Sequence, residues 1–481
     1  MKRLIITAVV TLFGLLHVQG QNNLTLYNMK PIPQKFYVNP ANQSDAKIFV
    51  GLPGISSNYF DFGLSAFKLG DVVDAIRPDE NGDTTFMLGE FTDGFKKKNF
   101  ISISNAMDLF SFGFKLKKNY FFFNTSLVNN VRFTAPGDFF QFIAQGNGGA
   151  NLNRKFDFGF GLDMMSYAEV GIGYSRKLMN DKLTVGGRVH FIKGIATVST
   201  EESSFNFTTD PNTFDYYLQS DVQINSANSL SGLPSISPFD STFEFTDSMT
   251  FQDAVNSIFK GGNRGVALDL GATYKLNNKL TLSASITNLG RITWNTNTYN
   301  WKSRTPGVTY QFTGLNIENA LDFDGDDVET AFNELGDTLK STFRLDNNTE
   351  SFTTGLFAQF YVGGNLNLTK NHNAGVLLHG SVYKKTLDPA ITLSWNSKLT
   401  KVLGVSLSYS VANNSFVNAG LGFSLNAGPI QTYFVSDNLI GLFAHKQANT
   451  INMRTGINVT IGRGEKKLKK KKKDKKKKDE E

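Results

Sequence analysis

The 481-residue chain carries 49 Lys and Arg against 42 Asp and Glu, holds 43 Phe and 15 Tyr against 12 Pro, and has no Cys. Without Cys there is neither a disulfide framework nor a lipidated Cys after a leader. The formal charge of +7 resides in Lys466–Glu481, where eleven Lys face four acidic residues, so the basicity belongs to an appendage and points to no nucleic-acid partner.

In chain order, "MKRLIITAVVTLFGLLHVQG" gives a basic start (Lys2, Arg3), an apolar segment Leu4–Leu16, and Val18 and Gly20 before Gln21. That is the layout of a cleaved secretory signal, 1–20, too short for a transmembrane anchor. After it no apolar run reaches the length of a membrane-spanning helix, which leaves strands as the only means of crossing. Residues 21–47, rich in turn formers ("LYNMKPIPQKFYVNPANQSDAK"), read as a periplasmic lead-in or a plug entering a lumen.

From Ile48 onward the pattern has period two. Ala168, Val170, Ile172 and Tyr174 alternate with Glu169, Gly171, Gly173 and Ser175. Leu280, Leu282, Ala284 and Ile286 alternate with Thr281, Ser283, Ser285 and Thr287, and Val405, Leu407, Tyr409 and Val411 alternate with serines. Segments of this kind, with one apolar and one polar face, are the signature of strands between lipid and a polar interior. A soluble sandwich would alternate too, but here apolar faces end in aromatics at Tyr174, Tyr274 and Trp395, as an interfacial girdle requires.

Short turns alternate with long excursions. "KLKKN" (Lys115–Asn119), "KLMNDK" (Lys177–Lys182), "KLNNK" (Lys275–Lys279), "LTKNHN" (Leu368–Asn373) and "SKLTK" (Ser397–Lys401) are hairpin loops whose Asn, Asp and Lys tolerate left-handed backbone. The excursions are Thr134–Ala150, Thr200 to about Gly262, and Arg304 to about Glu350. They are expected to be extracellular loops with short helices in "GDFFQFIAQ", "FQDAVNSIF" and "VETAFNELGDTLKSTF". The fold expected is all-β: a closed antiparallel transmembrane β-barrel over 48–462, with about fourteen strands and sixteen as the alternative.

Chemistry is sparse. Four histidines follow the signal, His190, His372, His379 and His445, and no Ser carries a nucleophile-elbow motif, so no enzyme and no cofactor are expected. His379 shares a face with Leu377 and Ser381, a lumen or packing position. Asp322, Asp324 and Asp326 in "DFDGDDVE" offer the oxygen ligands Ca²⁺ prefers. Asp327 and Asn333 nevertheless stand where an EF-hand loop needs Gly and Glu, and a helix start accounts for the acids without metal. The tail 463–481, with Lys466, Lys467, Lys469, Lys470 and Lys471, is expected to be a disordered periplasmic end. It is either simply solvated or a tether to anionic lipid or an acidic partner, at roughly 1 kcal/mol per engaged Lys.

Three stretches carry a family resemblance: "VNPANQSDAKIFVGLPGISSNYFDFG", which contains Asn39, Pro40 and Ala41; "LTLSASITNLGRITWN"; and "GPIQTYFVSDNLIGLF" followed by "NTINMRTGINVTIG". Their order resembles that of an uncharacterised group of Bacteroidota outer-membrane barrels akin to FadL-like, PorV-like and PorP/SprF-like proteins. The resemblance implies about fourteen strands, an amino-terminal segment able to plug the lumen, and residence in the outer membrane of a Gram-negative bacterium. It implies passage of hydrophobic or amphipathic small molecules, a reading the glycine-rich inner faces also suggest. The alternative is a structural or accessory subunit of a secretion, gliding or assembly complex, with outer-membrane or periplasmic protein partners.

Overall fold

Alternation dictates the architecture. A strand with one apolar and one polar face needs lipid on one side and a polar filling on the other, and a sheet immersed in lipid must have no unpaired edge. The computed structural model describes residues 23–29, 32–65, 95–229, 260–314, 325–384, 386–412, 415–443 and 448–463, with short pieces between 68 and 86. The expected signal, the expected helix at Phe251–Phe259, Asp322, Asp324 and the lysines from Lys466 lie outside the described residues.

Fourteen antiparallel strands close a ring. They are β1 (Ile48–Gly51 and Asn58–Leu64), β2 (Lys98–Leu116), β3 (Asn119–Pro136), β4 (Gly161–Leu178), β5 (Leu183–Thr209), β6 (Arg264–Lys275) and β7 (Leu280–Trp294). The ring continues with β8 (Phe352–Gly355 and Ala358–Asn367), β9 (His372–Tyr383), β10 (Thr386–Lys398), β11 (Leu403–Ala412), β12 (Ser415–Ala427), β13 (Ile430–Ser436) and β14 (Thr450–Ile461). Each strand pairs with the next, and β14 returns to both pieces of β1, with Ile48 opposite Ile461 and Asn58 opposite Thr455.

The faces divide as the alternation requires. Ile172, Phe191, Val362, Leu393 and Leu407 are exposed on the outside, whereas Glu169, Ser285, Thr287, Ser406, Ser408 and Ser410 are buried inside. An apolar surface of this extent around a closed ring is a lipid-facing band. At the rim made by the short hairpins, Phe114, Phe121 and Tyr174 sit side by side on three strands with ring centroids 5.1 Å apart, and Trp395 stacks on His372 at 5.5 Å. These rings are part of the aromatic girdle. The hairpins use left-handed backbone at Lys117, Asn180, Asp181 and Gly428, as their composition requires.

The opposite end, called here the loop end, differs from expectation in one respect. Thr200–Gly262 does not begin as a loop: β5 runs on to Thr209, and the chain returns as a strand, Tyr216–Asn228, paired along it. Strands Thr298–Ser303, Val308–Phe312 and Leu345–Asn348 extend this sheet beyond the ring. Outside the membrane a strand has no lipid face, so the apolar alternation that betrays the others fades. The helices α2 (Gly137–Gln145) and α3 (Gly325–Thr342) fall where their patterns place them, after α1 (Leu24–Asn28) in the amino-terminal segment.

Candidate functional site: the filled lumen

Residues 23–29 and 32–44 lie inside the ring. The turn-rich sequence cannot join the sheet, since Pro33 and Pro40 lack donors and Asn39 folds back on itself, its Oδ1 accepting the Ala41 amide at 2.9 Å. The segment instead satisfies its polar groups on the wall. The Leu24 and Thr25 amides, at the start of α1, donate to the Asp437 carboxylate at 3.0 and 2.7 Å. Asn28 donates to Ser394 at 2.9 Å, and Ser285 donates to the Val38 carbonyl at 2.6 Å. Gln34 and Asn458 exchange amide hydrogen bonds at 2.7 and 3.0 Å. Burial raises the Asp437 carboxyl above the usual carboxylate range, while the amides it accepts oppose that rise.

The segment's apolar side chains also find partners. Leu24, Leu26, Tyr27, Met29, Ile32 and Val38 pack with Tyr361, Leu377, Tyr433 and Val435 of the wall. The wall makes room by omitting side chains: a Cβ at Gly271 would lie 2.1 Å from Asn39 Oδ1, and one at Gly186 would lie 2.4 Å from the Pro40 carbonyl oxygen. Glycines of the inner faces, which from sequence suggest passage of small molecules, are here approached by the chain's own segment. Asn39, Pro40 and Ala41 are all buried at this contact. At Gly456 the approach is closer still, because residues 52–57 break β1 and fold inward until the Ser56 carbonyl lies over that position.

Above the segment, toward the loop end, lies a layer of buried charge from neighbouring strands. Arg188 (β5) donates from Nε to Asp269 (β6) at 2.7 Å and from Nη1 to Asn124 (β3) at 3.1 Å. His190 has Glu169 (β4) 2.9 Å from Nδ1 and Asp269 3.0 Å from Nε2. Asp269 sits at a bulge between β6 and β7 and also accepts the Asn288 amide at 2.7 Å, where Asn288 is left-handed. Asp108 (β2) accepts from Tyr37 at 2.6 Å and from Ser126 at 3.1 Å. Arg454 (β14) donates to Asn23 at 2.8 Å and to Ser57 at 2.5 Å. Buried charges persist only when they are paired or hydrogen-bonded: Arg188, His190, Glu169 and Asp269 are both, and Asp108 and Arg454 are hydrogen-bonded.

Farther toward the loop end the wall turns aromatic. Tyr59, Met165, Tyr167, Ile192, Trp294, Leu356, Phe357 and Tyr383 form one buried cluster, with Phe357 stacked on Tyr383 at 3.9 Å and Trp294 donating to Thr354 at 2.8 Å. At the same end the rings of Phe139 and Phe142 on α2 meet Phe158, Phe160 and Phe207 at 5.0 to 6.0 Å.

Of the residues singled out from sequence, His379 is lumenal, 4.7 Å from the Tyr361 ring, and neither of its nitrogens has a hydrogen-bond partner among the described residues. His372 lies at the hairpin rim and His445 outside the described residues. Asp326 falls in the first turn of α3. No group of three or more potential metal ligands occurs among the described residues. The sequence reading does not single out the charged layer, although Glu169, next to Gly171, Gly173 and Ser175 on its inner face, and Asp269, between Ala267 and Gly271, were the available signal.

The chain matches the description "Family of unknown function (DUF5723)" over residues 40–437. It belongs to that family. No curated protein matches it. Among solved structures, a Pseudomonas aeruginosa FadL homologue is 10% identical, with a TM-score of 0.38 and coverage of 88% of this chain and 92% of that one. The P. putida toluene transporter TodX is 10% identical, with a TM-score of 0.39 and coverage of 93% and 99%. The Ralstonia pickettii toluene transporter TbuX is 10% identical, with a TM-score of 0.37 and coverage of 90% and 100%.

Proposed function

We propose that this DUF5723 member is an outer-membrane barrel that passes small hydrophobic or amphipathic molecules, with its short hairpins in the periplasm and the segment of residues 23–29 and 32–44 as the gate. The observation that carries this reading is the lumen's order: an aromatic wall at the loop end, then a hydrogen-bonded charged layer, then a segment held by side-chain contacts and free of the strand ladder. On this reading an apolar solute moving inward passes the buried cluster of Trp294, Tyr383 and Phe357 before it reaches the charged layer. Aromatic surfaces with a few placed polar groups beneath them are how small-molecule sites are usually built.

The test is uptake of a labelled monoaromatic compound by outer-membrane vesicles with and without the protein. Saturable uptake that needs the barrel, and falls on Trp294→Ala, is expected. Uptake equal to that of vesicles lacking the protein would overturn the reading. The sheet built beyond the ring by Tyr216–Asn228 and its partners favours a second reading, a subunit of a larger assembly. A stoichiometric partner retained in mild detergent, with no saturable uptake, would establish that alternative.

A further inference from the structure

The ring of Tyr37 occupies an unusual position for a residue of the amino-terminal segment. The Arg188 guanidinium lies 4.9 Å from its centroid and the Arg454 guanidinium 5.4 Å, while its hydroxyl donates to Asp108 at 2.6 Å. These three wall residues come from β5, β14 and β2, so the slot belongs to the barrel and the ring is its occupant. Ser126 and Ser56 hold Asp108 from behind at 3.1 and 3.3 Å, and Asp269 and Asn124 hold Arg188, so the slot is organised by contacts other than Tyr37. Tyr37 borders a cavity of about 30 Å³, shared with Glu169, Arg188, Asn288, Gln359 and Arg454. That is room for about two waters and no second ring, so a solute takes the slot only in place of Tyr37.

We propose that the slot of Arg188, Arg454 and Asp108 is a binding site for neutral phenolic molecules, and that Tyr37 is the built-in occupant such a solute replaces. The inference rests on the passage reading above. Its chemistry follows from the three groups. Two guanidiniums within about 6 Å of a centroid favour an electron-rich ring face. A carboxylate accepting from the hydroxyl requires a donor, which a plain aromatic hydrocarbon lacks. A carboxylate solute is disfavoured, because Asp108, Glu169 and Asp269 already set three acids against Arg188, Arg454 and His190.

The test is hydrogen exchange of the amides of residues 35–39 and 41 in the purified full chain, with p-cresol, toluene and cyclohexanol as probes at equal concentration. Toluene keeps the ring without the donor, and cyclohexanol keeps the hydroxyl without the π face. In the unaltered chain p-cresol is expected to speed exchange at least about tenfold over either control, as a solute that competes for the segment's anchor must. In Tyr37→Ala the sign reverses: p-cresol fills the vacated slot and slows exchange while the controls do not. Should Tyr37→Ala fail to assemble, Tyr37→Phe, which keeps the ring, serves: its segment is expected to exchange faster than the unaltered one and to need less p-cresol for release. Equal responses to all three probes would overturn the assignment. Saturable toluene uptake alongside such equal responses would leave the passage reading standing and remove the phenolic site alone.

Discussion

Toward the hairpin rim, the lumen wall carries serine, asparagine and glycine beside a few large side chains such as Tyr361, Tyr433 and Tyr120, and the space they leave is filled by the amino-terminal segment, through Leu24, Leu26, Ile32 and Phe36. Toward the loop end, the wall supplies its own bulk, through Trp294, Tyr383 and Phe357. Between them runs the layer of Arg188, Glu169, His190 and Asp269, built from wall residues alone. The difference teaches where rigidity and release are placed. The charged layer and the aromatic half are part of the hydrogen-bonded ring, whereas the hairpin half is filled by a piece attached through side chains and one covalent link at Lys47. On the gate reading proposed above, the filling changes without unfolding the barrel.

The largest expected effect strikes the boundary between the halves. Replacing Arg188 by Met leaves Asp269 and Glu169 buried with only His190 to balance them. Removing one member of a buried charge network costs about 3–5 kcal/mol. The loss is expected in guanidinium unfolding of the detergent-solubilised barrel, together with a smaller heat-resistant fraction on unboiled gels. A change of less than about 1 kcal/mol, the scale of a solvent-exposed pair, would mean that water screens the layer.

Gly271→Val should separate the halves. The added side chain enters the space of Asn39 Oδ1, where even a Cβ would sit at 2.1 Å. Overpacking of this kind costs about 1–3 kcal/mol, and the segment is the part free to yield. The expected result is a barrel with nearly unchanged unfolding but raised conductance in planar bilayers and protease-accessible residues 33–41. A destabilised barrel with its segment still protected would contradict the division. In the aromatic half, Trp294→Phe removes the hydrogen bond to Thr354 and leaves a void, at an expected cost of about 1–3 kcal/mol, with conductance unchanged.

How much of this was readable beforehand follows from what each part depends on. The strand faces were legible at Val170 and Glu169 or Leu407 and Ser408, because lipid on one side and polar filling on the other impose period two directly on sequence. The helix Gly137–Gln145 was legible to the residue from its own pattern. The sheet of Tyr216–Asn228 was not, since its strands stand in water and its pairing is set by the neighbour it meets. The charged layer was hidden for a different reason. Glu169, Arg188 and Asp269 are far apart in sequence and meet only through register, with Glu169 opposite Ile192 and Asp269 opposite Arg188.

The smallest expected effect lies in the extension at the loop end, where Arg304 grips Asp346 with Nε at 2.9 and 3.0 Å from the two carboxylate oxygens and Nη2 at 2.6 Å. The hydrogen bond from Arg304 holds the Asp346 carboxyl below its ordinary range. Whatever the pair contributes is therefore present above the unfolded carboxyl's pKa and disappears as pH falls through the lowered one. Both side chains are half exposed, and exposed pairs are screened and entropically costly even with fork geometry. The strands they join, Thr298–Ser303 and Leu345–Asn348, belong to the sheet built beyond the ring. Arg304→Gln is thus expected to leave the barrel's thermal midpoint unchanged at neutral pH, at low and at high salt alike. A midpoint that fell at low salt and recovered at high salt would show that the extension is mechanically part of the barrel, and the contrast would then have to be drawn between the hairpin half and everything above it.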